Sequence, residues 1–161
     1  GVDTLKMLND LKLESYATFD IGDLKMDPHP IIESDAAANK LKEKLRISDV
    51  KENEAYLFIK LDFGISDSST YFLFNKQTLE TVHLPDDGFI NDMDTGISFW
   101  PQYVYNDSIL IAYKDAFSLT KLIQKTHSSG ENENSDKILD KFGLMAKDLT
   151  ETSNPVLIVL K

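Results

Sequence analysis

An acidic loop offers the first residues that could do chemistry, because carboxylate and amide oxygens are the ligands that Ca²⁺ prefers. The loop runs from residue 86 to residue 96 and carries Asp86, Asp87, Asn91, Asp92 and Asp94. The EF-hand pattern fails, since no carboxylate stands at the third position before Gly96 and no Glu closes the loop. Asx side chains also bond to nearby amides in ordinary turns. The sequence therefore predicts a turn without a bound metal, and calcium is the open alternative.

Four aromatic residues follow this loop: Phe99, Trp100, Tyr103 and Tyr105. Exposed side by side in a groove, Trp100, Tyr103 and Tyr105 would form a flat platform on which a sugar can stack. The competing interpretation is structural, because aromatic side chains bury large areas in protein cores. Pro101 would then fix the backbone where the next strand begins. We favour the core for Phe99 and Trp100, and we retain Trp100, Tyr103 and Tyr105 as the candidate ligand-binding residues.

The residues that usually carry catalysis form no recognisable pattern. His29, His83 and His127 are scattered along the sequence, and no HExxH spacing that would bind zinc occurs. Gly96-Ile97-Ser98 lacks the second glycine of a nucleophile elbow, since Trp100 takes that place. No glycine pattern for binding phosphates is present either. The sequence therefore predicts neither a catalytic residue nor a cofactor, although an unrecognised carboxylate pair leaves a carbohydrate-active enzyme as a remoter alternative.

The charge balance argues against polyanionic partners. The 161 residues include 17 Lys or Arg and 27 Asp or Glu, so the formal net charge is −10. Nucleic acids and anionic membrane surfaces both attract basic side chains, which are in the minority here. There is no cysteine, and no apolar run approaches the ~20 residues of a membrane-spanning helix. The length fits a single domain over residues 1–161.

Alternating apolar residues predict an antiparallel meander in the middle of the chain. Residues 55–63 alternate with the period of a strand, and Tyr56 and Phe58 lie on its second face, so both faces should be covered. Residues 71–74 and 79–84 continue the meander. Residues 102–105 and 108–113 predict a hairpin around Asn106-Asp107. Residues 156–160 are apolar without alternation, which predicts a terminal strand that is buried on both faces.

Three short helices complete the prediction. Ser34 fits an N-cap, and apolar residues follow it at helical spacing as far as Leu45, so we expect a helix from Asp35 to Arg46. The period of the apolar residues also favours helices over residues 115–125 and, after Ser135, over residues 135–149. The expected fold class is mainly β, with antiparallel meanders and about three helices at their margins.

One segment, residues 91–116, carries a specific motif. Its residues are Asn91-Asp92-Met93-Asp94, Gly96, Phe99-Trp100-Pro101-Gln102-Tyr103 and Asp115-Ala116, with a further match at Asn154-Pro155-Val156-Leu157. Weaker matches are Tyr16, Phe19-Asp20-Ile21-Gly22 and residues 71–78. In these residues the chain resembles the C-terminal part of the six-bladed β-propeller proteins of Bacteroides-type bacteria, which are typically predicted lipoproteins of unknown function.

The resemblance implies both an architecture and a role. A propeller blade of four strands takes roughly 40–45 residues, so this chain has room for about two blades. We therefore expect a fragment or a reduced form of a larger β-propeller, placed in the bacterial cell envelope as a periplasmic or surface lipoprotein. The implied role is a non-catalytic binding or scaffolding module with a protein partner, and a glycan-binding module is the alternative. Open sheet edges would favour self-association.

Overall fold

The computed structural model describes residues 1–85, 88–90, 98–121, 149–150 and 153–160. Within these ranges the protein is mainly β, as predicted, and its strands form three antiparallel sheets. The sheets have the orders β1-β2, β3-β4-β5-β6 and β7-β8-β9. The strands are β1 (Val2–Asn9), β2 (Lys12–Asp20), β3 (Leu45–Glu52), β4 (Tyr56–Phe63), β5 (Ser69–Asn75), β6 (Thr81–Leu84), β7 (Tyr103–Tyr105), β8 (Ile109–Lys114) and β9 (Val156–Leu160).

The four-stranded sheet confirms the predicted meander and adds a strand to it. Leu57, Ile59 and Leu61 of β4 are buried on one face, where Phe72 and Phe74 of β5 pack against them. Phe58 is buried on the opposite face. Both faces of the sheet are therefore covered, as predicted from the aromatic residues on the second face of β4. The added strand β3 pairs with β4, with a shift of register between Ile47 and Asp49.

The helix predicted from Asp35 to Arg46 is shorter than expected. The hydroxyl of Ser34 accepts a hydrogen bond from the Ala37 amide at 3.2 Å, and α1 covers Asp35–Lys42. The predicted end of the helix was wrong, because Leu45 instead begins β3 opposite Phe63. Leu45 is buried there, so pairing and burial in the sheet prevail over its helical spacing.

The hairpin β1-β2 was not predicted from the sequence. Its two-residue turn consists of Asp10 and Leu11, both with positive φ (46° and 64°). Such turns usually contain Asn-Gly or Asp-Gly, and Leu11 gives no such signal. A short 3-10 helix (Gly22–Leu24) follows β2.

The three-stranded sheet contains the predicted hairpin and the predicted terminal strand. Asn106 and Asp107 form the turn, with φ of 46° and 50°, and β9 pairs with β8. The prediction that residues 156–160 are buried on both faces was wrong. Val156 and Ile158 pack against the buried Leu119, whereas Leu157 and Val159 are 64% and 51% exposed. Among the strands that the structure describes, β9 is at the edge of its sheet, and the described residues cover only one face of that sheet.

The other predicted helices lie partly or wholly outside the described residues. A helix begins at Ala116, and the side chain of Asp115 caps it by accepting a hydrogen bond from the Ser118 amide at 2.8 Å. That hydrogen bond from the Ser118 backbone lowers the pKa of Asp115, because it stabilises the charged form of the carboxylate. Nearly all of the helix predicted over residues 135–149 lies outside the described ranges. Among the residues described, no helix is long and apolar enough to cross a membrane.

Candidate functional site

Trp100 lies in an aromatic cluster and is only 8% exposed. Its ring is 4.8 Å from that of Tyr71 and 6.3 Å from those of Phe58 and Phe89, between ring centroids. The indole Nε1–H donates to Oδ2 of Asp49 at 3.2 Å, which links the start of β7 to β3. This position agrees with the core interpretation of Trp100, and its ring is not available for a platform shared with Tyr103 and Tyr105.

Tyr103 and Tyr105 are exposed by 66% and 58%, so two of the three candidate ligand-binding residues are accessible. They are two residues apart on β7, and alternate residues of a strand point to the same face. The register places Ile111 opposite Tyr103 and Ile109 opposite Tyr105. The same face therefore continues onto β8.

The exposed face extends across all three strands. Tyr113, which is half exposed, lies two residues beyond Ile111 on β8, and Leu157 and Val159 of β9 lie opposite Tyr113 and Ile111. We call this surface the tyrosine face. Its residues are Tyr103, Tyr105, Ile109, Ile111, Tyr113, Leu157 and Val159.

The three tyrosines form a diagonal row across the tyrosine face. Tyr105 and Tyr103 are about 7 Å apart along one strand, and diagonal neighbours on adjacent strands, such as Tyr103 and Tyr113, have a similar spacing of roughly 7–8 Å. The aliphatic residues beside the row carry no hydrogen-bonding side-chain atoms. The phenolic hydroxyls are therefore the only polar side-chain groups that the tyrosine face contributes.

The hairpin that carries Tyr103 and Tyr105 is fixed to the four-stranded sheet. Oδ1 of Asp107 accepts a hydrogen bond from the Glu54 amide at 2.9 Å, and the Asp107 carbonyl accepts one from Asn53 at 3.1 Å. On β8, the Tyr113 amide donates to Oε1 of Gln102 at 2.9 Å. These bonds hold the backbone beneath the exposed rings, as a preformed binding surface requires.

Tyr103 and Tyr105 were predicted from the sequence as site residues, whereas Tyr113, Leu157 and Val159 were not. Tyr113 is in the predicted hairpin, so its alternation with Ile111 was a usable signal. Leu157 and Val159 are more than forty residues further along the chain. Only the pairing of β9 with β8 brings them to this face, and the local sequence does not show that pairing.

Two partly buried carboxylates, that of Asp49 near Trp100 and that of Asp62 in β4, form ion pairs with lysine side chains. Asp49 pairs with Lys51, and Asp62 lies 3.4 Å from the ammonium group of Lys60. Burial acts to raise the pKa of Asp62, but hydrogen bonds, including one from Ser69 at 2.8 Å, outweigh it and lower the pKa. A general acid at neutral pH needs a raised pKa instead. Asp62 is therefore unsuited to that role.

A polar cluster joins the first hairpin to the four-stranded sheet. The carboxylate of Glu52 accepts hydrogen bonds from the Tyr16 hydroxyl at 2.6 Å and from the Lys76 ammonium at 2.8 Å. The Lys76 hydrogen bond is the main cause that lowers the pKa of Glu52, and the Tyr16 bond adds to it. Burial works against the charge of Lys76, yet its hydrogen bond with Glu52 raises the pKa of Lys76. Both shifts favour the charged pair.

Because of this cluster, we expect the protein to lose a small amount of unfolding free energy in acid. Because the folded-state pKa of Glu52 lies below its ordinary value of 4.5, its contribution is present above that pH and is lost as the pH falls through the lowered value. Glu52 is half exposed, so we expect less than about 1 kcal/mol. In urea unfolding, the free energies of the wild type and Glu52→Gln should differ at pH 7, and the difference should shrink as the pH falls below 4.5 toward pH 3.

Glu54→Gln is the matched control, since Glu54 is also exposed and its hydrogen bond with Asp107 uses its backbone amide and not its carboxylate. The control should follow the wild type at both pH values. If the difference in unfolding free energy between the wild type and Glu52→Gln is as large at pH 3 as at pH 7, the charge of the carboxylate is not its cause.

The other residues considered for chemistry do not form a site in the part of the chain that the structure describes. His29 is in a loop and His83 is on β6, where its Nε2 is 2.8 Å from the hydroxyl of Thr70. His127 and the acidic residues of the loop (Asp86, Asp87, Asn91, Asp92 and Asp94) lie outside the described residues. Among those described, no group of three or more His, Asp or Glu could hold a metal ion.

Comparison of the chain with protein-family models, with curated proteins and with solved structures found no match.

Proposed function

We propose that this chain is a non-catalytic binding module and that the tyrosine face is its binding surface. The observation that supports this proposal is the exposure of Tyr103, Tyr105, Tyr113, Leu157 and Val159 together on one side of a three-stranded sheet. Exposed aliphatic residues are common singly, but contiguous apolar patches on a folded domain mark interaction sites. Tyrosine is also enriched in the cores of protein interfaces.

A protein partner fits the tyrosine face better than a glycan. A sugar requires hydrogen-bonding groups beside the stacked ring, whereas the described residues that share this face with the three tyrosines are Ile109, Ile111, Leu157 and Val159. Aliphatic neighbours instead suit the apolar surface of another polypeptide, with the tyrosines as central contacts. We therefore favour a scaffolding role with a protein partner, and we retain glycan binding as the second candidate because of the row of tyrosines.

The cellular setting of this proposal comes from the resemblance described above. It implies a piece or a reduced form of a six-bladed propeller in the bacterial cell envelope. The four-stranded meander and the three-stranded sheet are compatible with about two blades. In such an architecture the tyrosine face would pack against a neighbouring sheet, because blades bury their faces against one another.

The isolated chain is expected to self-associate through the tyrosine face. Static light scattering at low micromolar concentration should detect dimers or larger species. The net charge of −10 makes copies repel one another, so association should strengthen as salt screens that repulsion. The double variant Tyr103→Ser/Leu157→Ser removes two exposed contacts, each worth roughly 2 kcal/mol if it is central to the interface. Its dissociation constant should rise at least about 100-fold.

The turn of the first hairpin offers a matched control. Leu8 of β1 and Leu11 of the turn are exposed apolar residues of a different hairpin, so Leu8→Ser/Leu11→Ser should leave self-association unchanged. A monomeric wild type across the salt range, or equal effects of the two double variants, would contradict the proposed binding face. In affinity electrophoresis, retardation by soluble polysaccharides that Tyr103→Ser abolishes would favour the glycan candidate instead.

A further inference from the structure

A second feature of the molecule is an apolar cavity of about 520 Å³ between the end of β2 and one face of the four-stranded sheet. It lies on a different sheet from the tyrosine face. Of the fourteen described residues that line it, eleven are apolar. Representative apolar residues of its wall are Phe19, Ile47, Ile59, Leu61, Phe72 and Phe74. Its polar lining residues among those described are Thr18, Asp20 and Thr81, and all three are exposed.

The cavity leaves a hydrophobic core incompletely filled. Leu57, Ile59 and Leu61 are buried at its base, whereas Phe19 and Phe72, which pack against them, are only partly buried. Protein interiors are normally packed as densely as organic crystals. An apolar cavity offers water few hydrogen bonds, and such cavities take up apolar ligands instead. The walls are therefore suited to an apolar occupant.

We propose that this cavity binds an uncharged ligand with a single aliphatic chain. The volume is within the range of roughly 300–1,000 Å³ that is usual for small-molecule sites. The apolar walls accept a hydrocarbon chain, and the hydroxyls of Thr18 and Thr81 can bond to a neutral polar head at the exposed rim. The only charged lining residue among those described is Asp20. An anionic head group is disfavoured because it would meet this carboxylate.

A polypeptide occupant fits these walls less well. An extended segment would bring unpaired amides and carbonyls into a space whose walls are apolar, and buried backbone groups need partners. The site is therefore better matched to a small molecule than to an extended segment of a protein.

The experiment uses the neutral dye N-phenyl-1-naphthylamine, whose fluorescence rises in apolar sites. The wild type should bind it saturably, and dodecanol should displace it at lower concentrations than laurate, which carries a negative charge at neutral pH. Ala17 lies on the lining, so Ala17→Phe should fill part of the cavity and raise the dissociation constant of the dye at least about tenfold. Dodecanol should also raise the Tm of the wild type.

Ser15→Phe is the matched control, because Ser15 is also on β2 but does not line the cavity. It should bind the dye as the wild type does. The proposal would be overturned if the wild type did not bind the dye or if dodecanol did not raise its Tm. Either result would be expected if a polypeptide segment occupies the cavity.

Equal dye binding by Ala17→Phe and Ser15→Phe would also overturn the proposal. If Ala17→Phe fails to fold by circular dichroism, the Tm measurement on the wild type decides. Tyr103→Ser/Leu157→Ser should still bind the dye, so failure of the proposed binding face would be seen separately.

Discussion

The variant Trp100→Ala is expected to lose about 3–5 kcal/mol of unfolding free energy, which is the range for removing a large buried aromatic side chain. Trp100 contacts the rings of Phe58, Tyr71 and Phe89, so its removal leaves a cavity among aromatic side chains that cannot all move to fill it. The loss also removes a link between β3 and the start of β7, since the indole no longer bonds to Asp49. Urea unfolding followed by circular dichroism measures the change.

Two further substitutions separate the causes of this loss of unfolding free energy. Trp100→Phe keeps a ring but removes the hydrogen bond to the Asp49 carboxylate, which is worth about 1.5–3 kcal/mol for a charged acceptor. Tyr103→Ala removes an exposed ring of similar chemistry, and surface substitutions usually change stability by about 0.5 kcal/mol or less. A Trp100→Ala protein with an unchanged melting midpoint that has lost glycan binding would overturn the structural role and restore Trp100 to the ligand-binding platform.

The strands that sequence reasoning located are those whose local pattern and burial agree. Residues 55–63 alternate between the two faces of the sheet, and β4 lies between its pairing partners β3 and β5. Asn106-Asp107 supplied a recognisable turn, because both residues tolerate positive φ. In these segments the local preference and the tertiary environment favour the same structure, and the prediction needed no knowledge of distant residues.

The parts that were missed depend on distant residues. Residue 45 continues a helical pattern, yet the pairing of Leu45 with Phe63 makes it a strand residue. Val156 to Leu160 is uniformly apolar, so its sequence cannot show that one side faces Leu119 and the other is exposed. The tyrosine face and the cavity both arise where separate strands meet. Their individual residues could be named from the sequence, but their grouping could not.

The aromatic cluster also depends on a backbone position where a side chain does not fit. Gly88 has φ of 89°, and a Cβ atom built there would lie 2.5 Å from the carbonyl oxygen of Phe99 and 3.4 Å from the Trp100 ring. This close approach occurs beside a short bridge in which Phe89 and Phe99 exchange backbone hydrogen bonds of 2.8 and 2.9 Å. The absence of a side chain at residue 88 therefore lets the backbone bring Phe99 and Trp100 into the core.

Gly88→Ala is expected to destabilise the fold by about 2–4 kcal/mol. The positive φ contributes part of the loss, since a left-handed conformation costs an ordinary residue about 1–2 kcal/mol. The rest follows because the Phe99 carbonyl must move away, which weakens the bridge hydrogen bonds, each worth roughly 1 kcal/mol. Urea unfolding gives the total, and near-ultraviolet circular dichroism should show a changed environment for Trp100.

Gly22→Ala measures the conformational part of this effect without the steric part. Gly22 also has a positive φ of 61°, but a Cβ atom built there meets nothing within 4 Å. Its substitution should therefore cost only the conformational part, about 1–2 kcal/mol, and leave the near-ultraviolet spectrum unchanged. If both variants lose equal stability, the contact with the Phe99 carbonyl contributes nothing, and the packing of Trp100 does not depend on Gly88. A larger loss of unfolding free energy in Gly88→Ala would instead show that the backbone at Gly88 supports the packing of Trp100. The burial of Trp100 then depends on a neighbouring segment, so it could not be established from residues 99–105 alone.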